Sequence, residues 1–420
     1  MLNLTGLKVN LINKLPQGAK WLLSSVVLAG GYMATADAAV QNITAVFRPD
    51  PSNPLINKFT NTTPESGVCP GHIPQRCKDL GIFSIRTADI IFDSIKPIPA
   101  NHENPREGFM ASVPSEWRAL QVVNTKTGDV QTVEMRIAGI GAKSWPAYPP
   151  GTEAWGPRWN IWPNAPAPCQ STGYAAGNHL YMLWFWIIPQ GVGACGRTAL
   201  FEVPSMIFDL FEYAYEIKTP NPLTMAVGQY TGSINYSIGP GQDFDFGDVM
   251  IPRDNNLTFN VTLDVEHTLN VEIPPGGNKV VLLPQGGWQA WLNQGRKPTR
   301  LFRDQTFNIS ASSRFKMQLE CQNVDGNRCG LLEPKSGHGV PLNVSVTLPN
   351  GLTDSSGQPV NRRPLLRDGS GTELFQPGFY VDRKPGTLHF DIDREHVEQM
   401  LTGGEKTYSG NVTVVWNSEV

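Results

Sequence analysis

Aromatic and polar side chains that could bind a sugar are concentrated in residues 145–162. Sugars present C–H faces that stack on aromatic rings, while arginine and asparagine side chains hydrogen-bond to hydroxyls. Proline stiffens this segment, and loops on a rigid β-scaffold commonly carry binding. The candidate ligand-binding residues are Trp145, Tyr148, Trp155, Arg158, Trp159, Asn160 and Trp162. The alternative is that the rings pack the loops of their own domain.

Six cysteines form the second group of residues with definite chemistry. An even count in an exported chain indicates disulfides, although six cysteines allow many connectivities. Proximity in the sequence suggests three local pairs, and the third pair encloses an Asp-Gly turn signal. The Cys-x-x-Cys clustering typical of zinc sites is absent, so we predict no metal and no cofactor. The expected pairs are Cys69–Cys77, Cys169–Cys195 and Cys321–Cys329.

The first 38 residues have the features of an export signal. Lys8, Lys14 and Lys20 precede an apolar run at 21–33, and residues 36–38 form a small-x-small cleavage site. A membrane span needs ~20 apolar residues, and this run is shorter and interrupted by serine and glycine. We therefore expect a cleaved signal peptide at 1–38.

The composition favours an all-β protein. Only 17% of the residues are charged, against a usual ~25%. The net charge of −3 leaves no electrostatic footprint for nucleic acid. The 41 glycines and 35 prolines punctuate short strands, and only residues 394–401 show a helical pattern. The sets of residues that mark kinases and serine hydrolases are also missing, so we predict that the chain is not an enzyme.

Two units are expected in the exported chain, at 39–247 and 248–420. The second would open with residues 257–265, which alternate between apolar and polar. A boundary near residue 220, at a Thr-Pro-Asn-Pro sequence, is the alternative.

The segment 407–416 is the last strand-like pattern in the chain. Val412, Val414 and Trp416 point to one face, and Asn411 and Thr413 point to the other. No charged residue lies between Tyr408 and Trp416, whereas charges often protect an exposed sheet edge. This absence favours an open groove that accepts a strand from another chain over an ordinary capped edge.

This layout resembles the two-domain tip adhesins and adhesin-like minor subunits of bacterial chaperone–usher pili. The resemblance depends on the signal peptide, the Cys-bearing first β domain, the strand pattern at 257–265 and the segment 408–416. It implies two tandem immunoglobulin-like β-sandwich domains, of which the C-terminal, pilin-like one lacks its final strand. The residues implied to line the donor-strand groove are Tyr408, Val412, Val414 and Trp416.

The resemblance also implies partners and a location. A periplasmic pilus chaperone, an outer-membrane usher and the N-terminal extension of an adjacent pilin would each engage the chain. It would reach the cell surface at the fimbrial tip and adhere to a host glycan or surface protein. One alternative is a structural initiator of the fibre that binds no host ligand. Another is a secreted or cell-surface β-sandwich binding protein unrelated to pili.

Overall fold

A computed structural model describes residues 7–14, 39–157, 162–295, 297–403 and 406–418. Most of the expected signal peptide therefore lies outside the described residues. The helices are short: α1 Val68–Gly71, α2 Pro74–Leu80, α3 Gly287–Gln294 and α4 Arg394–Met400. Of these, α4 matches the predicted helical pattern, and the other three were not anticipated. None of the described helices has the length and apolar character needed to cross a membrane.

The structure is 48% strand and 10% helix, in agreement with the predicted all-β class. In chain order, the strands before residue 266 are β1 Leu7–Lys14, β2 Ala39–Phe47, β3 Thr60–Asn61, β4 Phe83–Thr87, β5 Phe92–Ser94, β6 Phe109–Ala111, β7 Arg118–Asn124, β8 Val130–Pro146, β9 Gln170–Gly177, β10 Met182–Ile187, β11 Cys195–Arg197, β12 Met206–Lys218, β13 Gly228–Ser237, β14 Met250–Pro252 and β15 Asn256–Val265.

The strands after residue 266 are β16 Leu269–Glu272, β17 Lys279–Val280, β18 Leu301–Ala311, β19 Lys316–Cys321, β20 Asn323–Asp325, β21 Arg328–Leu332, β22 Gly339–Thr347, β23 Leu352–Asp354, β24 Arg363–Pro364, β25 Phe375–Pro377, β26 Val381–Ile392 and β27 Gly410–Asn417.

The first unit is built on one large sheet with the path β14-β5-β12-β8-β7-β13-β15-β2-β3. β10 adds to β8, β9 adds to β10, and β4 adds to β12. Its core is rich in aromatic rings, and Phe109 lies against four buried tryptophans. Such rings bury large apolar areas, which stabilises a wide sheet of this kind.

The position of β15 corrects the expected domain organisation. β15 pairs antiparallel with β13 and parallel with β2, so residues 257–265 belong to the first sheet. Leu257 and Leu263 are buried in the same core as Phe47. The alternating pattern shows that one face of a strand is buried, but it does not identify the sheet that the strand joins. The change from one sheet system to the other falls between Val265 and Leu269, neither at residue 248 nor near 220.

The second unit packs two sheets around a separate core. One sheet has the path β16-β18-β26-β22-β21-β20, with β24 added to β22, and the other has the order β17-β1-β27-β19. Phe307 from the first of these sheets lies 5.1 Å from the ring of Trp416 in the second. This face-to-face packing is the sandwich arrangement that the sequence predicts.

All three expected disulfides are formed, between Cys69 and Cys77, Cys169 and Cys195, and Cys321 and Cys329. The third spans the β20–β21 turn. There Asp325 pairs with Arg328, and Gly326 adopts a φ of 58° that favours glycine. The local pairing predicted from the sequence is confirmed.

His267 lies in the connector between β15 and β16 and contacts both units. Its Nε2 is 3.0 Å from the carbonyl oxygen of Met225, and its Nδ1 is 3.1 Å from Ser312 Oγ. Because a carbonyl oxygen can only accept, Nε2 carries the proton, and in the neutral ring Nδ1 accepts from the Ser312 hydroxyl. The ring packs edge-on against Phe47 at 5.6 Å. Burial lowers the pKa of His267, and the positive charge of Arg314 lowers it further.

We expect acidification to destabilise this junction. The unfolded chain has the ordinary histidine pKa of 6.5. It therefore takes up a proton at a higher pH than the folded chain, and the stability present above pH 6.5 is lost as the pH falls through the lowered pKa. Denaturant unfolding at pH 7.5 and 5.0, compared with a His267→Gln variant that does not titrate, measures this effect. Parallel pH profiles for the two proteins would contradict it.

Candidate functional site: a strand-accepting groove and a distal aromatic surface

β27 lies between two neighbours of different origin. On one side, β19 pairs antiparallel, from Met317 opposite Trp416 to Cys321 opposite Val412. On the other side, β1 pairs parallel along its full length, from Leu7 opposite Gly410 onwards. β1 also pairs with β17, but only through its first two residues. β1 therefore fills a gap one strand wide between β17 and β27.

The strand that fills this gap comes from the opposite end of the chain. Residues 7–14 fall within the predicted signal peptide, whereas the other strands of this sheet come from residues 279–417. If residues 1–38 are removed, the backbone N–H and C=O groups along this edge of β27 lose their partners. Backbone groups need such partners when they are buried, and an open edge is a template for an added strand.

The side chains predicted to line the groove pack into the core of the second unit. Val412, Val414 and Trp416 are fully buried in the core of the second unit. Tyr408 precedes the register with β1, and its buried hydroxyl lies 2.8 Å from His338 Nδ1. The pairing groups at this edge are thus backbone atoms, and the four side chains hold the strand in place.

Two of the tryptophans expected to bind ligand are buried instead. Trp155 and Trp162 are 2% and 1% exposed, and each ring packs edge-on against Phe109, at 5.5 and 5.4 Å. They cannot contact a ligand unless the core opens, so the prediction that they bind ligand is wrong. Their rings pack within their own domain, which was the alternative. Burial of both indoles in one aromatic core stabilises the domain more than their exposure on a loop. Three further candidates, Arg158, Trp159 and Asn160, lie outside the described residues.

Trp145 and Tyr148 lie at the surface. The ring of Trp145 is 4.9 Å from the ring of Tyr181. Lys143 places its Nζ 4.0 Å from the first ring centroid and 4.4 Å from the second, which is the distance of a cation–π contact. Tyr148 is 64% exposed and lies edge-on to His179 at 5.3 Å.

Lys143 and Tyr181 were missed by the sequence analysis. Lys143 is two residues before Trp145 on the same strand, so the alternation of strand faces could have placed it beside the ring. Tyr181 reaches Trp145 only because β10 pairs with β8, and no local pattern shows that pairing.

This aromatic surface lies at the end of the first unit that faces away from the second. Val130, the first residue of β8, pairs with Val123 of β7. The next residue of β7, Asn124, pairs with Tyr230 of β13. Tyr230 in β13 bonds to Ala226, adjacent to the Met225 carbonyl that contacts His267. β8 is 17 residues long, so its ends are at most roughly 50 Å apart at ~3.3 Å per residue. Trp145 lies at the far end.

Comparisons with known proteins return solved structures only. No family model matches the chain, and no curated protein matches it. One similar structure is a chaperone–tip adhesin complex of CFA/I fimbriae biogenesis, at 12% identity over 93% of this chain and 99% of that chain, with a TM-score of 0.25. Another is CfaE, the adhesive subunit of the CFA/I fimbria of enterotoxigenic Escherichia coli, at 11% identity over 92% of this chain and 99% of that chain, with a TM-score of 0.22.

A third is the CsuC–CsuE chaperone–tip adhesion subunit pre-assembly complex from archaic chaperone–usher Csu pili of Acinetobacter baumannii. It shows 8% identity over 90% of this chain and 98% of that chain, with a TM-score of 0.21. These proteins are of the same kind as those that the sequence resembles. Identities and TM-scores this low do not show that the chain belongs to their family.

We expect stability losses of different size at the buried Trp155 and the partly buried Trp145. Trp155→Ala removes a core indole and should destabilise the protein by about 3–5 kcal/mol. Trp145→Ala removes a partly buried ring and its contact with Lys143, and it should cost about 1 kcal/mol or less. Denaturant midpoints of the two variants, measured on the same chaperone-bound preparation, test this difference. Equal losses would show that Trp145 also belongs to the core.

Proposed function

We propose that this chain is the adhesive tip subunit of a chaperone–usher fimbria. In this proposal the second unit is completed by a strand from another protein, and the first unit adheres to a surface receptor, which is a glycan. The observation that carries the proposal is the gap between β17 and β27, occupied by a segment of the predicted signal peptide.

An added strand fits the physical character of this edge. β27 offers eight residues of backbone, from Gly410 to Asn417, and none of them is charged. Each backbone hydrogen bond contributes about 1 kcal/mol net, so an eight-residue ladder gives substantial affinity. Because Val412, Val414 and Trp416 lie in the core, an unpaired β27 would also expose core side chains whenever it frayed.

The partners follow from export and assembly. A periplasmic pilus chaperone would supply the first strand, and at the outer-membrane usher the N-terminal extension of the adjacent pilin would replace it. β2, which lies in the first sheet, begins at Ala39, directly after the predicted cleavage site. A chain cut there keeps no N-terminal extension with which to complete a neighbour, which supports the tip position.

Periplasmic expression of the chain from Ala39 onwards, with and without a cognate pilus chaperone, tests the proposal. We expect a stable one-to-one complex with the chaperone, because the chaperone strand pairs with β27. Without the chaperone we expect aggregation or proteolysis. A chaperone whose subunit-pairing strand carries two prolines is the matched control, because proline removes ladder donors. A soluble, protease-resistant monomer with one reversible unfolding transition and no chaperone would contradict the proposal.

A further inference from the structure

The outward face of the first sheet carries a compact group of side chains at its distal end. Three adjacent strands build it, with Lys143 opposite Asp209 and Trp145 opposite Ile207 in the β8–β12 ladder. Tyr181 stands just before β10, whose first residue pairs with Ser144. We call Lys143, Trp145, Tyr181, Ile207 and Asp209 the distal platform.

The distal platform faces solvent and not the core. Its five residues are half-buried or exposed, and Ile207 is 39% exposed. The alternate residues on the same strands, Ser144, Met182 and Phe208 among them, are buried. Helices α1 and α2 cover the same side of the sheet further along the strands, where their disulfide packs against Ala138 and Phe185.

The distal platform offers one donor, one acceptor and two aromatic faces. Among the described residues, no carboxylate pairs with the Lys143 ammonium group, which lies over the two rings. One carboxylate oxygen of Asp209, Oδ1, is buried and has no hydrogen-bond partner in the described part of the chain. The other basic side chain of this region, Arg253, is already paired with Asp93.

The charges of Lys143 and Asp209 favour a neutral ligand over a cationic or an anionic one. A cationic ligand would be repelled by the Lys143 ammonium group, which lies over both rings. An anionic ligand attracted by Lys143 would meet the negative charge of Asp209 in the neighbouring strand, so the opposite charges leave no net preference for an anion. A neutral hexose matches both properties, because its C–H face stacks on a ring while its hydroxyls accept from an ammonium group and donate to a carboxylate.

We propose that the distal platform binds a neutral hexose residue of a surface glycan, with Trp145 and Tyr181 as the stacking faces and Lys143 as a hydrogen-bond donor. This inference rests on the proposed adhesive function and assigns the ligand class and residues to it. Of the candidates predicted in residues 145–162, it keeps Trp145 and adds Lys143 and Tyr181 on the strand surface.

The test uses the chaperone-bound protein on immobilised glycans that end in galactose, glucose, mannose or an N-acetylhexosamine, and on the same glycans capped with sialic acid. We expect binding to at least one uncapped glycan and weaker binding to its capped form. Trp145→Ala and Lys143→Met should each reduce binding at least tenfold.

The chain offers a matched control pair. Trp117 and Lys218 form the same kind of contact elsewhere on this unit, with Nζ 3.7 Å from the ring. Trp117→Ala and Lys218→Met should therefore leave glycan binding unchanged. Unfolding midpoints within a few degrees of the parent protein, for all four variants, separate loss of the site from loss of the fold.

Three results would overturn the inference: binding to sialylated glycans only, full binding by Trp145→Ala, or no binding to any glycan of the panel. If the one-to-one chaperone complex still forms in those cases, only the ligand assignment fails. If the chaperone complex itself does not form, the proposed function fails.

Discussion

The backbone edge of β27 is the constraint on which the second unit depends. Its inner side chains, Val412, Val414 and Trp416, fill the core between the two sheets, so the strand cannot leave without opening that core. Its outer neighbour, however, is a segment from the far end of the sequence, and β17 lies one strand further away. The stability of the core is therefore coupled to whatever strand fills the gap.

In the proposed function, adhesion belongs to the first unit and assembly to the second. β8 extends from the region of the His267 junction to the distal platform as one 17-residue strand. A long strand paired on both sides is a rigid support, and it keeps a surface such as Trp145 far from the strand-accepting edge.

The sequence shows local features well and long-range pairing poorly. The three disulfides, helix α4 and the alternation of β27 follow from neighbouring residues, and the structure contains them all. Assigning β15 to the second unit failed because it joins β2 in parallel, a partner more than 200 residues away. Trp155 and Trp162 were placed on a surface because proline-flanked aromatics look alike whether a loop is exposed or folded over a core. The position of Lys143 beside Trp145 could have been predicted from the alternation of strand faces. The positions of Tyr181 and Asp209 could not, because they depend on the pairing of β10 and β12 with β8.

Amide hydrogen exchange along β27 tests the central claim most directly. The chain from Ala39 onwards would be refolded with a peptide of residues 7–14, with the same peptide carrying Asn10→Pro and Ile12→Pro, and with no peptide. We predict slow exchange at Val412, Val414 and Trp416 only with the unmodified peptide, because only that peptide can pair along the full edge. Equally slow exchange in all three samples would show that β27 needs no partner from outside its unit, and the strand-accepting account would be wrong.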